Sequence, residues 1–148
     1  MTIRKYRNND FSEILRIYSL TKLEELRFEA EKFNFIPLNL DEKRFKAFKE
    51  CEVFVYEESE ISGYCAFFGS EIRALFVLPQ FQGKGIGKNM FKFMLENIQG
   101  TPSLNLVASN LPAKKLYERF GFNTSSEFVA EYNGKPVLAI KMCQEQNC

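Results

Sequence analysis

Gln82-Gly83-Lys84-Gly85-Ile86-Gly87-Lys88 follows an apolar, strand-like run over 72–78 and opens a stretch with helical periodicity, Ile86, Met90, Met94 and Ile98. A strand, a glycine-rich turn and a helix in that order build an anion-binding nest. The first N–H groups of the helix lack partners and point outward, and the helix dipole favours negative charge there. One left-handed position takes one glycine, so three alternating glycines exceed what a bare turn requires. The stretch therefore predicts a phosphorylated ligand. Two common phosphate motifs do not fit. A P-loop requires glycine where Gln82 stands and serine or threonine where Asn89 stands, and a dinucleotide fingerprint requires glycine where Lys88 stands.

Outward from this loop, the chain reads as one domain over 1–148. A first strand covers 2–6. Asp10 with Glu13 three residues on reads as a capping box, and Phe11, Ile14, Leu15 and Tyr18 continue it as a helix that ends between Leu20 and Phe28. Residues 33–37 read as a loop and 41–49 as a charged helix. The β-rich runs 53–56 and 63–68, joined by Glu57-Glu58-Ser59-Glu60, suggest a hairpin. The run 72–78 is the most apolar and is expected to be central and buried on both faces, with Pro79 ending it. A short strand over 104–108 leads to Asn110 and a helix with Pro112 in its first turn; Gly121 is placed for a left-handed cap. Asn133-Gly134 joins strands near 127–132 and 137–142. The expected class is α/β (α+β), a mixed, mostly antiparallel sheet of six to seven strands flanked by about four helices.

Composition excludes several functions. The net charge of +1 lacks the basic face that a general nucleic-acid binder requires. No apolar run approaches the ~18 residues that span a bilayer, and the first ten residues lack a signal-peptide core, so a cytoplasmic protein without membrane partners is expected. The chain contains no histidine, which removes Ser-His and Cys-His nucleophiles and histidine-ligated metal; no metal is expected. Cys51, Cys65, Cys143 and Cys148 form no CxxC pair; Cys51 and Cys65 are expected to be buried thiols and Cys148 exposed. Sixteen phenylalanines against no tryptophan point to an aromatic core or pocket.

The motif Gln82-x-x-Gly85-x-Gly87, preceded by Val77-Leu78-Pro79, resembles that of the GNAT superfamily of N-acetyltransferases. The segment Asn110-x-x-Ala113-x-x-Leu116-Tyr117-Glu118-Arg119-Phe120-Gly121-Phe122 is similar to that family's second cofactor-contacting segment. The resemblance covers about 53–142 by motif and the first fifty residues by element order. It implies acetyl-CoA as donor, with Gln82, Gly83, Lys84, Gly85, Ile86, Gly87 and Lys88 around its phosphates, and a primary amine as acceptor, either a small molecule or a protein lysine or N-terminus. It also implies a monomer or homodimer. The alternative is a non-catalytic acyl-CoA-binding sensor of the same fold.

Acetyl transfer to an amine requires a neutral amine, a stabilised oxyanion and a partner for the departing thiolate. The resemblance assigns the thiolate to Tyr117. A phenol near ~10 is a weaker acid than a thiol near ~8.5, so full proton transfer is uphill by about 2 kcal/mol and a hydrogen bond is the expected role. The oxyanion is expected at a backbone N–H near Phe76 or Val77. Asn110 has two readings, a helix N-cap or a hydrogen-bond partner of the cofactor arm. Glu71 is the candidate base; it is equally a solvated strand-edge carboxylate, with water accepting the proton. Glu24, Glu25, Glu29 and Glu31 form either an acidic rim or, interleaved with Lys22, Arg27 and Lys32, a solvated face.

Overall fold

A computed structural model describes residues 2–144 and shows one seven-stranded sheet in the order β1-β2-β3-β4-β5-β7-β6. The strands are β1 (Thr2–Lys5), β2 (Glu52–Glu57), β3 (Ile61–Phe68), β4 (Glu71–Val77), β5 (Ser103–Val107), β6 (Asn123–Tyr132) and β7 (Lys135–Cys143). The helices are α1 (Phe11–Thr21), α2 (Glu42–Glu50), α3 (Ile86–Asn97) and α4 (Leu111–Arg119). The mixed sheet and four helices agree with the class expected from sequence. The expected position of Cys148 lies outside the described residues.

Two cores cover the two faces of the sheet. On one face α3 inserts Ile86, Met90, Met94 and Ile98 at helical spacing against Cys65, Phe67 and Ile72, and Phe91 packs on the α4 side. On the other, Ile14, Ile17 and Tyr18 of α1 pack with Val53, Val55, Tyr64 and Ala66, closed by Phe45 and Phe48 of α2. Strand alternation assigns the faces: odd positions of β2 go to one core and even positions to the other. The Asn133-Gly134 turn holds both residues at positive φ (50° and 79°), as a two-residue hairpin requires.

Two local expectations are corrected. Asp10 does not cap α1 with its side chain. Its carboxylate turns back to accept from the Arg7 N–H at 2.7 Å and from Arg4 at 2.9 and 3.0 Å, where it gains a two-pronged charge-assisted pair in addition to a peptide N–H. The run is central, its strand β4 fourth of seven, yet only its ends, Ile72 and Leu78, are buried and the residues between them are not. The reason is its β5 neighbour. The two strands, the only parallel pair among the described residues, match at Glu71 with Ser103 and Ile72 with Leu104 and then separate. β5 follows β7 through Val107, so the sheet splits into two halves and the β5-facing edge of β4 beyond Ile72 has no ladder partner.

A bulge sits beside the split. Ala66 of β3 pairs with Ala74 and Phe67 with Ile72, which leaves Arg73 as the extra residue on β4. A bulge re-aims the side chains that follow it. Here Ile72 packs in the α3 core, and Ala74 and Phe76 in the α1 core.

Candidate active site

The split between β4 and β5 forms a cleft of about 350 Å³. Parallel strands carry their following loops at the same end, so the glycine loop after β4 and the Asn110 turn after β5 both lie at the C-terminal end of the split. Ligands of open α/β sheets bind at such a divergence.

Gly83 and Gly85 hold the left-handed conformation (φ 81° and 85°), and Gly85 is the N-terminal cap of α3. Gly87 lies inside the first turn of α3, where a Cβ would make only ordinary contact with Val77, 3.6 Å away. Two of the three glycines thus serve the turn, and the third keeps its surface open. The first helical bond runs from Asn89 N–H to Gly85 C=O at 3.0 Å, which leaves the N–H groups of Ile86, Gly87 and Lys88 without intrahelical acceptors. The Ile86 side chain is buried in the core, so that residue offers a ligand only its backbone. Gln82 Nε2 donates to Val77 C=O at 2.9 Å and ties the loop to the end of β4. Lys84 and Lys88 are exposed, with Lys84 Nζ 5.4 Å from the Phe81 ring centre.

Phe76, Asn110 and Tyr117 line the cleft together. Asn110 is buried, makes no side-chain cap to α4, and its Oδ1 has no hydrogen-bond partner. The N-cap reading therefore does not hold, and a buried unpaired acceptor at the wall of a cleft fits a hydrogen-bond donor on a bound ligand. Tyr117 packs against Phe91 at 5.2 Å between ring centres, and burial, with a smaller contribution from Glu25, pushes its hydroxyl up to about 12. It stays protonated and able to donate.

Glu71 is placed differently. Its carboxylate accepts from Arg73 Nε at 2.5 Å at the start of β4, and it is not among the residues lining the cleft. Arg73 also reaches Glu50 at 3.0 Å. Of the first-half acids, Glu25 lines the cleft in an ion pair with Lys22, Glu29 accepts from Ser109, and Glu24 lies 3.5 Å from Gln82 Nε2. These acids bind protein partners on both sides of the split. Cys65 is fully buried as expected; Cys51 is half-buried, with its thiol directed to Ala47 C=O at 3.2 Å.

Sequence reading missed a second cavity of about 120 Å³ on the α1/α2 face. Tyr18, Lys22, Arg44, Arg73 and Phe76 line it, and the last four also line the cleft, so the two spaces are continuous around β4. The signal for Arg73 was available as a lone charge inside the apolar run 72–78. Nothing local marked Tyr18, Lys22 or Arg44. Among the described residues, no group of three or more carboxylates, cysteines or histidines is placed to hold a metal, and no helix is long and apolar enough to cross a membrane.

The divided sheet thus carries a glycine loop after β4 and a cleft lined by Asn110 and Tyr117 between β4 and β5. The family model described as the acetyltransferase (GNAT) domain matches residues 49–124, and the chain belongs to that family. Among curated proteins it is 32% identical over 68 residues to the spermine/spermidine N(1)-acetyltransferase of Bacillus subtilis (strain 168), covering 43% of each chain. It is 30% identical over 84 residues to the peptidyl-lysine N-acetyltransferase YjaB of Salmonella typhimurium, covering 57% of each. The matches thus span roughly half the length of these relatives. The solved structure of yncA from Salmonella typhimurium, with its cofactor acetyl-CoA, superposes with a TM-score of 0.70 over 100% of this chain and 96% of its own, at 19% identity.

Proposed function

We propose that the chain is an acetyl-CoA-dependent N-acetyltransferase that transfers acetyl to a primary amine by direct attack on the thioester. The observation that carries the reading is the buried, unpaired Oδ1 of Asn110, a residue that lines the same cleft as Tyr117 and the unpaired edge of β4. Peptide groups along that edge are free to pair with an amide-containing arm as an added strand, and Asn110 Oδ1 accepts from one of its N–H groups. The nest at Gly83 to Lys88 receives the phosphates, with Lys84 and Lys88 adding charge. Support from relatives is that the two curated proteins are N-acetyltransferases and that yncA is solved with acetyl-CoA.

Bound acetyl-CoA supplies an activated carbonyl. The chain's residues do the rest. A β4 backbone N–H near Phe76 or Val77 stabilises the oxyanion; its low-dielectric setting makes such a donor worth about 3 kcal/mol. Tyr117 donates a hydrogen bond to the departing thiolate. At about 12 its hydroxyl is a poor acid toward a thiol near ~8.5, so it holds the thiolate rather than fully protonating it. The amine's proton goes to water, because the Glu71 carboxylate is bound to Arg73 outside the cleft.

The test is acetyl-CoA-dependent thiol release across a panel of amines and lysine peptides, run beside an acetyl-CoA thermal shift. Turnover with any amine supports the transferase. A thermal shift without turnover across the panel favours the acyl-CoA-binding alternative, and no shift at millimolar acetyl-CoA refutes the donor assignment. Glu71→Gln is expected to keep kcat/KM within about threefold; a loss beyond about a hundredfold, with the fold intact, would restore it as the base.

A further inference from the structure

The cavity on the α1/α2 face has a one-sided chemistry. Its charged lining groups are Lys22, Arg44 and Arg73, and no carboxylate lines it. The acids that pair with them, Glu25, Asp41, Glu50 and Glu71, approach from outside the lining. A space lined by three cationic side chains and aromatic rings, with no carboxylate in its lining, offers donors to an anion rather than acceptors to a cation.

A second observation points to a ligand independently. Tyr18 is 4% exposed, lines this cavity, and its hydroxyl is buried without any hydrogen-bond partner. Its ring is fixed by Phe35 and Phe76, each 5.9 Å away between centres. A buried hydroxyl is normally satisfied, so one left unpaired beside three cations is set to donate to an oxyanion.

The cavity meets the cleft at Arg73, Ala74 and Phe76, where the bulge turns β4. An acceptor seated in the cavity thus has its other end at the unpaired edge of β4, beside Tyr117's cleft. Resting on the transferase reading, we propose that the acceptor is a small amino-carboxylate, whose carboxylate enters this cavity and is held by the Tyr18 hydroxyl with Arg44 and Lys22, while its amine faces the cleft. The volume of about 120 Å³ admits a carboxylate on a short stem. A polyamine would have to place a second ammonium in a space whose lining offers it no carboxylate partner, and an unpaired buried charge is costly.

The experiment compares matched acceptors: free amino acids and ω-amino acids of increasing length, their carboxamides, the corresponding decarboxylated amines, and spermidine. Thiol release is followed at fixed acetyl-CoA, and the same compounds are titrated calorimetrically onto the protein with CoA present. The expected result is kcat/KM at least tenfold higher for a carboxylate than for its carboxamide. Tyr18→Phe, which keeps the ring and its packing, lowers that ratio at least fivefold, as does Arg44→Gln. A carboxamide, simple amine or spermidine used as well as every carboxylate overturns the proposal. So does a Tyr18→Phe protein that keeps the full preference. If acetyl-CoA binds but no carboxylate binds or turns over, the proposal fails while the donor reading stands. If acetyl-CoA does not bind, the transferase reading fails, and calorimetry with Tyr18→Phe still reads the cavity.

Discussion

Two residues at the cleft separate ligand-directed chemistry from structural need. Asn110 occupies the helix-capping position of α4 but caps nothing with its side chain. Asn110→Ala is therefore expected to leave the melting temperature unchanged or slightly raised, since it removes an unsatisfied buried acceptor worth about 1–3 kcal/mol. The same change is expected to weaken acetyl-CoA binding about fivefold to tenfold by calorimetry. A fall of many degrees in melting temperature would make its role structural. Tyr117→Phe is expected to lower kcat about ten- to a hundredfold with acetyl-CoA affinity within twofold. Because its hydroxyl is pushed up to about 12, its protonated form persists across the working range. The pH–rate profile should accordingly rise as the acceptor amine deprotonates, with no alkaline limb from Tyr117 below about pH 11. A limb between pH 9 and 10 that vanishes in Tyr117→Phe would contradict that assignment.

At the scale of elements, the glycine loop and the first turn of α3 divide the work. Gly85 needs its left-handed conformation to start the helix (φ 85°), so Gly85→Ala is expected to cost about 1–2 kcal/mol of stability. Lys88 is exposed in the first turn and bears no such constraint. A carboxylate there complements the helix dipole, so Lys88→Glu should hold or raise the melting temperature. It should also weaken acetyl-CoA at least tenfold by turning the charge against the phosphates. Equal acetyl-CoA affinity in Lys88→Glu and wild type would remove the loop from phosphate binding.

Across the molecule, the ion-pair group Arg4, Asp10 and Glu57 joins β1, the turn before α1 and β2. The Arg4 guanidinium and the Arg7 N–H hold the buried Asp10 carboxyl below its ordinary range. A depressed folded pKa contributes stability that is fully present above the unfolded value near ~3.9 and is lost as pH falls through the folded one. Asp10→Asn is expected to cost about 2 kcal/mol at pH 7 and at pH 5, and the gap in melting temperature should close well below pH 4. A gap that persists unchanged at pH 2 would show that packing, not charge, sets the effect.

The element order, the hairpin at Asn133-Gly134 and the α3 stripe were legible in the sequence, since each follows from local period or turn chemistry. The sequence also placed the glycine loop between β4 and α3 and the Asn110 to Phe122 segment after β5, on α4 and its ends. Local reading failed where partners are distant. Asp10 looked like a cap because Arg4 lies across a turn, and 72–78 looked like a doubly buried strand because its apolar residues do not reveal that β5 departs with β7. What the sequence determined by itself was the family, because the glycine turn and the helix starts that mark it are encoded by residues a few positions apart. What only the tertiary structure decided was the split between β4 and β5, the unpaired state of Asn110, and the cavity lined by cations, whose walls come from α1 and the turn after it, α2, β3 and β4. Those groups, from Tyr18 to Phe76, are up to 58 residues apart and meet only when the helices pack on the sheet, so no local pattern announces them.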